Sequence, residues 1–144
     1  MADLIITAAN VKPISGTTQQ NQQTGVAGEA MTAGQPVFLD RTSGSPTQGR
    51  YLKSDANDTT RAMCDGICIT QSAALGQPIT VVGTGAIIDI GATLTTGFLY
   101  VLSGNVGMVA PTADIVASWR VIVLGASLAT NRFKINLWDT TAIR

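Results

Sequence analysis

The sequence predicts an all-β protein, a compact β-barrel or sandwich with an extended N-terminal arm, and three observations carry that expectation. Short runs rich in Val, Ile, Thr, Leu and Tyr recur along the chain, clusters of Gly, Pro, Asn, Asp and Ser fall between them about every eight to twelve residues, and helical periodicity is confined to one short stretch. At 144 residues and 14.9 kDa the chain has the size of one domain.

The elements follow in order. MADLIITAANVKP opens with an apolar run of strand length that Pro13 stops. SGTTQQNQQTG, from 15 to 25, has no apolar residue to anchor it, so residues 1–25 read as an N-terminal strand and polar arm and 26–144 as the body. PVFLD, GRYLKSD, GICIT, ITVVGTGAIIDI, FLYVLS, GMVAP, WRVIVLGASLA and FKINLW are the body's expected strands. In TADIVASW, Ile115, Val116 and Trp119 have helical spacing over about two turns, enough for a short helix or a loop.

One phrase recurs. AGQPVFLD at 33 and LGQPITVV at 75 each set a permissive Gly before a Pro that opens a strand, where its missing N–H disturbs the ladder least. Placing TAGQPVFLD against TTGFLYVLS, and Arg61 with Gly66 against Arg120 with Gly125, lays 32–82 over 95–138. The recurrence predicts two related β units, with Gly34 and Gly76 in similar places.

Composition narrows function. Nine basic and nine acidic residues cancel, and charged residues make up 12% of the chain, so the electrostatic footprint of a nucleic-acid partner is missing. No stretch reaches the roughly 18 apolar residues of a membrane helix, and the first residues lack a basic region and a long apolar one, so neither a membrane nor a secretory signal is expected. Low charge with 45% apolar content points to surface committed to subunit contacts.

Chemistry is sparse. The chain has no His, which removes the commonest base and metal ligand, and Glu29 is its only Glu. Cys64 and Cys68, placed on one strand, would sit about 13 Å apart on one face, beyond disulfide reach, and read as small buried apolar residues. SDANDTT at 54–60 lacks the Gly and distal Glu of a calcium loop, and VVGTGAI lacks the third Gly of a phosphate-cradling turn. Neither catalytic residues, metal nor cofactor is expected. Phe98 and Tyr100, two apart, are the one aromatic pair placed to share a strand face.

The order of these signals resembles the small capsid decoration, or cement, proteins of tailed bacteriophages. The likeness runs over about 26–138 and rests on "TAGQPVFLD", "GRYLKSDAND", "DGICIT", "GQPITVV", "LTTGFLYVLS", "GMVAP" and "VIVLGASLATNRFKINLW" in that order. It implies a non-enzymatic β protein, a homo-oligomer and often a homotrimer, made in the host cytoplasm and bound to the virion's capsid surface, where it reinforces the major capsid protein lattice. The segment expected to contact the capsid or a neighbouring copy comprises Leu4, Ile5, Ile6, Thr17, Thr18, Gln19, Gln20, Asn21, Gln22, Gln23 and Thr24, its apolar end suited to adding a strand to a partner's sheet. The alternative is a receptor- or glycan-binding module of a phage tail or fibre, which predicts that Phe98 and Tyr100 are exposed together.

Overall fold

The computed structural model describes residues 3–14 and 22–143, and among these the regular structure is almost all strand. β1 (Val11–Pro13) and β2 (Gln22–Val26) come first. β3 (Met31–Thr32), β4 (Pro36–Leu39), β5 (Tyr51–Lys53), β6 (Gly66–Cys68), β7 (Ser72–Ala73) and β8 (Pro78–Val82) complete the first half. β9 (Ile87–Ile90), β10 (Leu99–Leu102), β11 (Val109–Pro111), β12 (Arg120–Ala129) and β13 (Arg132–Ile143) make the second. They form a six-stranded sheet of order β1-β9-β13-β12-β10-β11, a five-stranded sheet of order β2-β8-β6-β4-β5, and a ribbon of β3 with β7.

The two larger sheets pack face to face as a β-sandwich. Ile67 and Val82 of the five-stranded sheet enter one core with Ile88, Tyr100, Leu124, Phe133 and Ile135 of the six-stranded sheet. The opposite face of the five-stranded sheet, with Val37, Cys68, Ile79 and Val81, is covered by Ala27, Met31 and Ala73. Each fully buried aliphatic or aromatic side chain here contributes about 1.5–3 kcal/mol of burial. Both faces of the five-stranded sheet are therefore dry, and its two edges meet where Ala27 bridges Tyr51 and the Gly28 N–H donates to the Tyr51 carbonyl at 2.8 Å.

Two expectations are corrected. Leu4–Ile6 form no strand; the first strand is β1, which lies on β9 and ends on Pro13. Pro13 fits because the next residue, Ile14, donates to the Ile87 carbonyl at 3.2 Å, so the proline nitrogen faces away from the sheet. The polar stretch does not stand off as an arm at its described end either: Gln22–Val26 pair with Pro78–Val82 as β2. Strand pairing uses the backbone, so an edge strand with outward side chains needs no apolar residue. ITVVGTGAIIDI divides at a turn closed by the Ala86 N–H on the Gly83 carbonyl, at 3.2 Å. TADIVASW holds a single 3-10 turn, Thr112–Asp114.

The two halves share one topology. β2-β8-β6-β4-β5 matches β9-β13-β12-β10-β11 strand for strand. Val37 pairs with Gly66 and Lys53 where Tyr100 pairs with Gly125 and Pro111. The Gly34 and Gly97 amides donate to the Cys68 and Ser127 carbonyls at 2.8 and 3.0 Å, and the Cys68 and Ser127 amides donate to the Gln35 and Phe98 carbonyls at 2.9 and 3.0 Å. Even the turns after β4 and β10 agree: an Asp40 carboxylate oxygen accepts from the Thr42 amide at 2.9 Å, and the Ser103 hydroxyl accepts from the Asn105 amide at 3.0 Å. The duplication starts earlier than expected, since Gln23 opposite Val81 matches Ile88 opposite Phe133.

Gly-Gln-Pro has a narrower meaning than the sequence predicts. Gly34, Gly76 and Gly97 all adopt left-handed φ, at +91°, +85° and +83°, in the turn before a strand, so Gly34 and Gly76 do hold similar places. Gln35 and Gln77 close their turns by accepting, through the side-chain oxygen, from the Thr32 and Ala74 amides at 3.0 and 2.7 Å. Yet Gly34 and Gly76 lie in the same half. The duplication relates Gly34 to Gly97, and the recurrent Gly-Gln-Pro is one turn chemistry used twice within one unit.

Candidate functional site

The N-terminal residues expected to face a partner are divided by the fold. Leu4 donates its N–H to the Val109 carbonyl at 2.8 Å, and Leu4 and Ile6 pack against the main core. Ile6 also lies over Gly34, where a Cβ would meet its side chain. Ile5 alone of the three points out, 87% exposed. Alternation explains the split: in extended chain, neighbours face opposite ways, so a Leu-Ile-Ile run docked on one side presents its middle residue to solvent.

Gln22, Gln23 and Thr24 are exposed on β2. The Gln23 side-chain oxygen accepts from the Tyr51 hydroxyl at 3.2 Å. Gln23 borders a recess with Asp65, Thr84 and Leu137, whereas Leu4, Ile5 and Ile6 border another with Gln35 and Met108. The predicted residues therefore do not converge on one recess. Thr17, Thr18, Gln19, Gln20 and Asn21 lie outside the described residues.

The polar groups serve the architecture. Arg61 Nη1 pairs with Glu29 at 2.7 Å and donates to the Lys53 carbonyl at 3.1 Å, while Arg120, its counterpart in the other half, forms a two-pronged pair with Asp139 at 2.8 and 3.0 Å. In the loop 54–60, carboxylate oxygens of Asp55 and Asp58 accept from the Asn57 and Thr60 amides at 2.8 and 2.9 Å, as turn-stabilising Asp residues do. Among the described residues, no group of three or more His, Cys, Asp or Glu could hold a metal ion.

Cys64 and Cys68 are free thiols on opposite sides of the five-stranded sheet, not on one face. Asp65 and Gly66 both lie opposite Val37, and this bulge turns Cys64 over. Burial pushes the Cys64 thiol up to about 12 and raises that of Cys68, so neither is a ready nucleophile.

Asp40 is buried at the turn after β4. Thr47 and Ser45 donate their hydroxyls to one oxygen at 2.6 and 2.7 Å, and the Thr42 amide donates to the other at 2.9 Å. These donors, Thr47 foremost, hold its carboxyl well below the ordinary 3.8. A depressed pKa stabilises the fold fully above the unfolded value and is lost as pH falls through it towards the folded one. Thermal melting across pH 2–7, on the order of the range where carboxylates titrate, should show stability falling below about pH 4 in the wild type, with Asp40→Asn less stable at pH 7 and flatter in acid.

The pair that a glycan-binding module would need is not assembled. Tyr100 is 2% exposed and meets Phe133 edge-on, with ring centroids 6.1 Å apart, and only Phe98 is open. What sequence reading missed is apolar: Leu99, Leu128 and Trp138 stand exposed on the outer face of the six-stranded sheet. A signal was there, since RVIVLGASLA carries apolar residues at both parities, the pattern of a strand covered on both faces.

No protein-family model matches the chain, and no curated protein is similar to it in sequence. Fold and surface are what bear on function. The class they define is an antiparallel β-sandwich built from two copies of one five-stranded unit.

Proposed function

We propose that this chain is a non-enzymatic capsid decoration protein that binds the outer surface of a bacteriophage capsid and stabilises the major capsid protein lattice. One observation carries the reading: a chain with so little charge keeps large apolar side chains exposed at separate places, Ile5, Leu75, Leu99, Leu128 and Trp138 among them, as a protein that shares its stability with neighbours does. The resemblance in the order of Gly-led strands points the same way and favours a homotrimer. In this role each copy bridges adjacent capsid subunits, and modest contacts sum through multivalency. Ile5 and the exposed Gln22, Gln23 and Thr24 are the described parts of the N-terminal contact.

Co-sedimentation tests it. The purified protein should pellet with empty phage heads and not with host cell-wall material; the reverse result would overturn the reading. Because β1 and β2 belong to the sheets, truncation at residue 25 is a poor test of the N-terminal contact. Ile5→Glu combined with Thr24→Ala leaves the sheets intact and should weaken head binding; undiminished binding would remove this segment from the interface.

A further inference from the structure

The duplication gives the outer face of the six-stranded sheet an internal reference. In the five-stranded sheet the corresponding face carries Cys64, Ile67, Ile69 and Val82, and all four pack into the main core against the six-stranded sheet. The shared register places Val123, Ala126, Leu128 and Lys134 at the matching positions. Three of the four remain apolar, and nothing in the described chain lies over Leu128, which is 50% exposed. Leu99, paired with Ala126, and Trp138, paired with Val123, extend the same face and are 48% and 65% exposed. The matching position of Leu99 in the other half is Pro36, which is buried. One half thus shows that a surface of this composition is covered by a protein face, and the other half leaves it open.

Charge selects the occupant. Arg132 and Lys134 stand exposed beside this patch, and neither belongs to the ion pairs formed among the described residues. Asp89, on the same face, lies opposite Lys12 and accepts from the Gly91 amide. Two copies meeting through this face across a two-fold axis would set cations against cations. We propose that this face, from Leu99 through Leu128 to Trp138, docks on the major capsid protein, at a patch that is apolar with carboxylates at its rim. The proposal rests on the capsid reading above. Trp138 is the anchor, as exposed tryptophans at the centre of an interface commonly are, and Lys134 and Arg132 set orientation and approach.

Binding to empty heads, measured by co-sedimentation at two salt concentrations with circular dichroism as the fold control, tests it. Trp138→Ala and Leu128→Glu should each weaken binding at least about tenfold, and Lys134→Glu should weaken it and reduce its salt dependence. Wild-type protein that fails to pellet with heads sinks the capsid reading and this proposal together. Wild-type binding that all three folded variants retain overturns the docking face alone. A fall in solution mass in Trp138→Ala or Leu128→Glu, read by light scattering, would assign the face to a second copy and overturn the capsid subunit as its occupant.

Discussion

Gly125→Ala is expected to destabilise the fold by about 3 kcal/mol, and Gly66→Ala by a similar amount. A Cβ at Gly125 would collide with the Lys134 carbonyl oxygen, and one at Gly66 with the Val82 carbonyl oxygen. Backbone carbonyls in a paired strand cannot swing aside as a flexible side chain can, so relief requires separating β12 from β13, or β6 from β8. Each glycine sits at the bulge of its unit, where the ladder slips by one residue. Gly97→Ala supplies the contrast. No atom lies within 4 Å of a Cβ built there, so its cost is confined to the left-handed backbone, about 1–2 kcal/mol. Urea unfolding of the three variants should rank Gly125 and Gly66 together and Gly97 below them. A mild Gly66→Ala beside a severe Gly125→Ala would mean that the two bulges are not structurally equivalent.

Phe133→Ala should cost about 3–5 kcal/mol, the range for a fully buried aromatic. Its ring is completely enclosed at the middle of the main core and stands edge-on to Tyr100 at an interplanar angle of 76°. The loss should also travel. Tyr100 accepts the Thr95 amide through its hydroxyl at 3.0 Å, so a ring that shifts into the new cavity releases the turn that holds Gly97. Hydrogen exchange at Thr95 should therefore accelerate beyond the change set by global stability, while Phe133→Leu, which keeps most of the volume, should stay below about 1.5 kcal/mol. Equal exchange protection at Thr95 in wild type and Phe133→Ala, after correction for global stability, would detach the turn from the core.

Strand placement was legible in the sequence because turn chemistry and apolar runs are local. Val37, Phe38 and Leu39 follow Gly-Gln-Pro, and that phrase alone fixes a left-handed turn, a capping side chain and a strand start. The short apolar runs named in the body each became a strand. Leu4–Ile6 misled for the same reason: an apolar triplet has strand character, but whether it pairs is decided by what lies beside it, and there Leu4 and Ile6 are drawn into the core while Ile5 is left outside. Gln22–Val26 misled in the opposite sense, since nothing apolar marks an edge strand whose stability comes from β8. The bulge at Asp65 and Gly66, which sends Cys64 and Cys68 to opposite faces, depends on pairing with Val37 and leaves no local mark.

The sequence by itself determined the fold class, the positions of the turns, the two glycines that match across the halves, and the lack of His-based chemistry, because each is fixed by residue type within a few positions along the chain. Only the tertiary structure decided that the duplication relates Gly34 to Gly97 and not to Gly76, that Tyr100 is buried while Phe98 is not, and that one sheet's outer face is covered while its counterpart with Leu128 and Trp138 lies open. Those outcomes depend on which strands meet across more than fifty residues of chain, as Gln23 meets Val81, and pairing at that range is settled by the packing of whole faces and not by any local signal.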